Sequence, residues 1–356
     1  MIQVFQNVKF DWLASRRLFI GISTLLMLAG LASAVVRQVV PGGTEAFNLG
    51  VDFKGGTVVT TRFLQPTTAE QIRETLGKTG VPDAVIQPVT DKENTFLIKL
   101  PLASTTEGDQ SAEEVEAGRK KVGEALNTIG PEKTAYEIIG TDAVGAVAGA
   151  QLRNKAIAAT LAALVGILIY IGFRFEWSYG GAAVIAVFHD VLVTLGFFSI
   201  FQWEVSLTVI AALLTLVGFS VNDTIVVFDR IRENRRLHRR ESLYKITNDS
   251  INQTLSRTAI TNGLVFLSVL AMVLFGGEVL RGFSLALTVG VIFGTYSSVA
   301  VASPIMVWWE QRLEASDRAA ALGAAGSSPN RKQSLGSEPK RTGVSRPVAK
   351  RSSGAV

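Results

Sequence analysis

The chain has 356 residues, 48% of them hydrophobic and 18% charged, against about 25% charged in a typical soluble domain, so a membrane class is indicated. With no Cys and only two His, at 189 and 238, the composition excludes disulfides, iron–sulfur clusters, thiolate zinc sites and a cysteine nucleophile, and leaves little for a histidine metal site. The net charge of +5 divides unevenly: residues 38–150 hold 10 Lys and Arg against 16 Asp and Glu, net −6, and the remainder hold 25 against 14, net +11.

A spanning helix needs about 20 mainly apolar residues. After a short N-terminal stretch, 1–17, the first such run is Leu18 to Val36, placing a transmembrane helix at 18–37 between Arg17 and Arg37. Ala32-Ser33-Ala34 forms an A-x-A pattern, but the run exceeds the 7–15 residues of a signal peptide core, so a retained helix is expected.

The block 38–150 reads as a small α+β domain outside the membrane. Residues 57–65 are a strand by their β-branched content. Thr67-Thr68-Ala69-Glu70-Gln71 carries a capping-box pattern and opens a helix to Lys78, stopped by Gly80 and Pro82. Two strands, Ala84–Val89 and Thr95–Leu100, flank a turn at Asp91–Asn94. Ser111-Ala112-Glu113-Glu114 opens a second helix to Ile129, ended by Gly130-Pro131, and Ala135–Ile139 is a last strand. The order β-α-β-β-α-β predicts a ferredoxin-like arrangement of two split βαβ units. Gly50-Val51-Asp52-Phe53-Lys54-Gly55-Gly56 matches neither common phosphate-binding glycine pattern.

Five further spans crowd into 151–310: Ala156–Phe173, Trp177–Trp203, Val205–Phe228, Thr258–Gly277 and Gly282–Trp309. Between the fourth and fifth spans, residues 229–257 carry eight Lys and Arg and read as a basic loop. The Lys/Arg bias puts this loop and both termini in the cytoplasm and the acidic block outside. Residues 311–356, rich in Ala, Ser, Gly, Pro and base, read as a disordered basic cytoplasmic tail, solvated or touching anionic lipid or ribosomal RNA.

A charge inside a span costs about 2.5–3.5 kcal/mol on insertion scales and faces a bundle interior or a water cavity. Asp223 lies 18 residues into the fourth span, about 27 Å from its outer end. Ser220 and Arg230 share its helical face, and Asn222 and Thr224 flank it. It reads as a carboxyl that binds and releases a proton, or as a hydrogen-bonded structural acid. Arg257 opens the fifth span on a face continuing through Thr261; it reaches the depth of Asp223 or snorkels to the interface. Asp190 lies near the midplane of the third span beside His189, whose side chain leaves the helix about 100° away, so the two are not expected to face one site. A proton relay and a structural hydrogen bond both fit Asp190. Its estimated depth differs from that of Asp223 by about 10 Å, which argues against an aspartyl dyad. Gly290 and Gly294 form G-x-x-x-G, suited to helix packing.

GFSVNDTIVVFDRIREN at 218–234 resembles the signature of the SecF subunits of the SecDF protein-export family, relatives of the RND transporters. GVDFKGG at 50–56, FHDV at 188–191 and LSRTAITN at 255–262 are similar to further family motifs, and the resemblance covers about residues 1–310. It implies a polytopic helical protein with an RND-like half of six transmembrane helices and an extracytoplasmic ferredoxin-like domain between helices 1 and 2. It further implies a multi-pass inner-membrane subunit that pairs with SecD and associates with the SecYEG channel and with translocating unfolded polypeptides. By the same resemblance the proton-motive force drives it, Asp223, Arg257 and Asp190 form the proton path, and Asn222, Thr224, Ser220 and Thr261 support it. No enzymatic turnover, catalytic residue, metal, organic cofactor or nucleic-acid partner is expected. The alternative is an RND-type half-transporter moving small molecules or lipids; a single half implies that a partner is required.

Overall fold

A computed structural model of the chain describes residues 9–40, 45–79, 84–89, 92, 94–101, 111–127, 136–144, 146–174 and 177–326. It divides into two compact units, Met1–Gln311 and Arg312–Val356.

The first span is α1 (Arg16–Val39). A two-residue strand, β1 (Asn48–Leu49), and a one-turn helix, α2 (Val51–Lys54), lead into the sheet domain. Its elements are β2 (Gly56–Phe63), α3 (Ala69–Lys78), β3 (Val85–Pro88), β4 (Thr95–Pro101), α4 (Ser111–Leu126) and β5 (Tyr136–Val144). The strands lie in the order β3-β4-β2-β5 with every neighbouring pair antiparallel. Each βαβ unit therefore brackets a strand of the other. Alternation on β2 turns Thr57, Val59, Thr61 and Phe63 inward. Val59 and Phe63 meet Ile72 and Leu76 of α3, Phe96 and Ile98 of β4, and Val122 and Leu126 of α4 in one core. The expected capping box is present: Thr68 Oγ1 accepts from Gln71 N–H at 3.3 Å, and Gln71 Oε1 accepts from Thr68 N–H at 3.1 Å. The breaker pairs Gly80/Pro82 and Gly130-Pro131 lie outside the described residues.

Five long helices follow: α5 (Ala146–Arg174), α6 (Trp177–Phe201), α7 (Leu207–Leu237), α8 (Leu243–Phe275) and α9 (Gly277–Ser297). Between α6 and α7, β6 (Glu204–Val205) pairs in parallel with β1. A π-helical turn, Ser298–Ala302, joins α9 to α10 (Ser303–Gly326). Among the described residues, six helical stretches are long and apolar enough to cross a membrane. Helices α6, α7 and α9 are the buried centre, while α1, α5 and α8 leave most of their apolar surface open.

Two expectations are corrected. The segment 229–257 is not a loop: α7 runs on to Leu237 and α8 starts at Leu243, leaving only residues 238–242 between them. Arg, Glu and Leu are strong helix formers, so a run of charge lengthens these helices instead of ending them. The stretch from 311 to 326, expected to be disordered, is the end of α10. Leu313 and the alanines favour helix there, and Arg318 pairs with Glu314 at i,i+4 and 3.1 Å.

Candidate functional site

Two buried carboxyls in the helical bundle each centre a polar node. The first centres on Asp190 of α6, which is fully buried. Its Oδ2 accepts from Ser220 Oγ of α7 at 2.6 Å and from Ser297 Oγ of α9 at 2.7 Å. Its Oδ1 lies 2.9 Å from His189 Nδ1, and His189 Nε2 lies 2.6 Å from Ser23 Oγ of α1. Three helices thus meet at one carboxyl, and α1 joins them through His189. The 100° separation along the backbone does not keep His189 from Asp190, because the imidazole swings back along the helix surface to reach the neighbouring carboxyl. Ser220 was expected beside Asp223 and serves Asp190 instead.

The second node is Asp223 of α7, also buried. Its Oδ2 accepts from Asn262 Nδ2 of α8 at 3.0 Å, and the same amide reaches Thr295 Oγ1 of α9 at 2.7 Å. Thr224 bonds Ser298 across to the π-helical turn at 2.9 Å. Among the described residues no ion pair reaches Asp223. Arg230 is drawn elsewhere: its Nε donates to Gln253 at 2.7 Å and its Nη1 to Glu233 at 2.6 Å.

Asn222, Arg257 and Thr261 are exposed on the outer surface of the bundle. Arg257 and Thr261 do share a face, with Thr261 Oγ1 donating to the Arg257 carbonyl at 2.8 Å, but the face turns outward. Within the chain the structure therefore does not bring Arg257 to Asp223. The side of α8 that meets the acid carries Asn262 and the buried Thr258. Asn262, Ser297, Ser298, Thr295 and Ser23 were missed from the sequence. The polar run Thr295-Tyr296-Ser297-Ser298 in an apolar span was the available signal; Ser23 had none.

Glycines set how closely the nodes approach. A Cβ at Gly290 would lie 2.5 Å from Leu216 Cδ1, and one at Gly294 would lie 3.4 Å from Ser220 Cβ and 3.7 Å from Asp190 Oδ2. The G-x-x-x-G pair thus brings α9 against α7. Gly30 of α1 and Gly196 of α6 cross backbone to backbone, where a Cβ at Gly30 would sit 2.4 Å from Gly196 Cα.

The motif GVDFKGG forms the joint between sheet domain and helices. Gly50 N–H donates to Val205 O at 2.8 Å, and Asp52 Oδ2 accepts from Leu207 N–H at 2.9 Å, capping α7. Gly55 has φ 79°, a value open mainly to glycine, and a Cβ at Gly56 would lie 2.3 Å from Leu100 O. Beside the joint, Lys99 Nζ of β4 donates to both Glu204 carboxylate oxygens at 2.7 and 2.6 Å, and Gln87 Nε2 of β3 adds a bond at 3.2 Å. No group of three potential metal ligands occurs among the described residues.

Comparison with known proteins accounts for both the joint and the bundle. Residues 122–312 match the family described as protein export membrane protein SecD/SecF, C-terminal, and residues 43–66 match the SecD/SecF GG motif. The chain is 38% identical to protein translocase subunit SecF of Koribacter versatilis, covering 87% of this chain and 94% of that one. It is 39% identical to the SecF subunit of Escherichia coli O157:H7, covering 85% and 87% respectively. The crystal structure of Thermus thermophilus SecDF, described as a translocon-associated membrane protein, superimposes with a TM-score of 0.70 at 36% identity. That match covers 86% of this chain and 39% of the longer SecDF chain. A multi-pass bundle of six apolar helices, a glycine joint to a sheet domain and these relatives together establish that the chain belongs to the SecF family of SecD/SecF protein-export membrane proteins.

Proposed function

We propose that the chain works with a SecD partner at the SecYEG channel, using the proton-motive force to draw unfolded polypeptide across the bacterial inner membrane. In this reading Asp223 is the group that takes up and releases the proton, and no enzymatic turnover is involved. The observation that carries it is a carboxyl buried in an apolar bundle with a neutral amide, Asn262, as its hydrogen-bonding side chain and no cation paired to it among the described residues. An intramembrane acid of this kind is a functional group by default. Arg257 is exposed on α8, and in this reading it would meet an acidic residue of SecD and complete the path across the subunit boundary. A relative in which SecD and SecF are one polypeptide, the Thermus thermophilus SecDF translocase subunit, is 40% identical over 87% of this chain and supports that partner. Asp190, held by three side chains, reads as a structural node that keeps α6, α7 and α9 in register. The sheet domain lies outside the cytoplasm, and both termini and the arginine-rich end of α7 lie inside, as the Lys/Arg bias indicates.

The test is Asp223→Asn, reconstituted with SecD and SecYEG in vesicles carrying a proton gradient. The variant should insert, bind SecD and lose the gradient-dependent stage of export. Normal gradient-dependent export by this variant would overturn the proton-carrier role.

A further inference from the structure

The arginine-rich end of α7 does more than continue the helix. Arg232, Arg235, Arg236 and Arg239 stand at i, i+3, i+4 and i+7, so all four share one face. With Tyr179 of α6 they line a cavity of about 270 Å³. Tyr179 is fully buried and stacks edge-on against Phe228 at 5.3 Å, which fixes the inner wall. Among the described residues, none that lines it is acidic. Glu310 reaches the cluster from α10, accepting from Arg235 Nη1 at 2.5 Å and from Ser178 Oγ at 2.5 Å. That carboxylate neutralises one guanidinium and anchors it; Arg236 and Arg239 stand at the exposed rim.

Four guanidiniums gathered around a concavity suit a tetrahedral oxyanion, because the planar fork donates two parallel hydrogen bonds to a phosphate. The surroundings indicate where such a phosphate comes from. Trp177, at the start of α6, and Trp308 of α10 are both largely exposed and lie within two residues of Ser178 and Glu310. Exposed Trp at the ends of spanning helices marks the headgroup level of a bilayer. A basic pocket between helix ends at that level is the arrangement that holds a lipid headgroup.

We propose that this pocket binds the phosphate of an anionic phospholipid headgroup. It is a site distinct from both buried acid nodes, and it does not depend on the proton reading of Asp223.

The test uses the full-length chain, delipidated in neutral detergent and titrated with phosphatidylglycerol or phosphatidylcholine, with bound lipid counted by native mass spectrometry. Phosphatidylglycerol should be retained over phosphatidylcholine. A juxtamembrane arginine is worth about five-fold in anionic lipid affinity, so Arg236→Gln with Arg239→Gln should weaken phosphatidylglycerol binding roughly twenty-five-fold. The Arg236→Lys, Arg239→Lys pair keeps the charge and should recover most of that loss. Unchanged thermal unfolding of these rim variants separates a binding loss from misfolding. Equal retention of the two lipids, or retention indifferent to the glutamine pair, would overturn the site. Displacement of bound phosphatidylglycerol by millimolar inorganic phosphate would assign the pocket to a soluble phosphate and overturn the lipid source.

Discussion

Removing Asp190 and removing Asp223 should have opposite balances of stability and function. In Asp190→Ala, Ser220 Oγ and His189 Nδ1 lose their carboxyl partner inside the bundle, while Ser297 falls back on the Gly294 carbonyl, already 3.2 Å away. Each buried polar group left without a partner costs about 1–3 kcal/mol, so two orphans cost about 2–6 kcal/mol. In Asp223→Ala the freed amide of Asn262 still has Thr295 at 2.7 Å, so the loss should be about 1 kcal/mol or less. The assay is unfolding of the purified variants in mixed micelles, followed by tryptophan fluorescence. A further variant, Ser220→Ala combined with Asp190→Ala, removes one orphan and should recover part of the deficit, which a double-mutant cycle reads directly. If Asp190→Ala were as stable as Asp223→Ala, the junction at Asp190 would not be what holds α6, α7 and α9 together.

Gly30→Ala should destabilise the bundle by about 1–3 kcal/mol, since its methyl group meets the Gly196 backbone, which cannot rotate away. Gly21→Ala, on the same helix with nothing within 4 Å, should be neutral or slightly stabilising, and thermal unfolding of the pair decides the point. Glu204→Gln breaks a half-buried ion pair with Lys99 and should leave global unfolding within about 2 kcal/mol of wild type. Hydrogen exchange should quicken at Gly50 and Val205 specifically; unaltered exchange there would show that the clamp does not secure the joint. Burial holds the Tyr136 hydroxyl above its usual pKa, so the neutral form is favoured in the folded sheet domain. Its contribution is complete below pH 10 and is lost as pH rises through the higher folded value. Alkaline unfolding of the domain should therefore flatten above pH 10 in Tyr136→Phe, and an identical pH profile would refute the assignment.

The lengths of the apolar runs located all six spans, because hydrocarbon thickness leaves few alternatives. The Thr68 cap and the element order of the sheet domain were legible for a related reason: both rest on contacts a few residues apart. Rotation of the spans was not legible. The polar residues of α7 and α8 are spread around each helix, so no single polar stripe in the sequence says which face turns inward. Sequence spacing correctly grouped Arg257 with Thr261, yet the pair faces outward and Asn262, one residue on, takes the inward position. Ser220 illustrates the same gap, since it shares a face with Asp223 by spacing but bonds an acid on another helix. The charge in 229–257 misled in another way, since α7 continues through it to Leu237 and does not stop where the charges begin.

Helix α7 is one uninterrupted rod of 31 residues, about 46 Å long. It carries the Asp52 cap at one end, Ser220 and Asp223 along its middle, and the arginine face at the other. One rod fixes the angles between these addresses: at 100° per residue, Arg232 lies about 180° around the helix from Asp223. Inserting one residue between Asp223 and Arg232 would turn the arginines by about 100° relative to the acids and lift them about 1.5 Å. An insertion of seven residues comes within about 20° of the original bearing, displaced by about two turns along the axis. The segment between these positions is therefore constrained in length even where its individual side chains touch nothing of consequence.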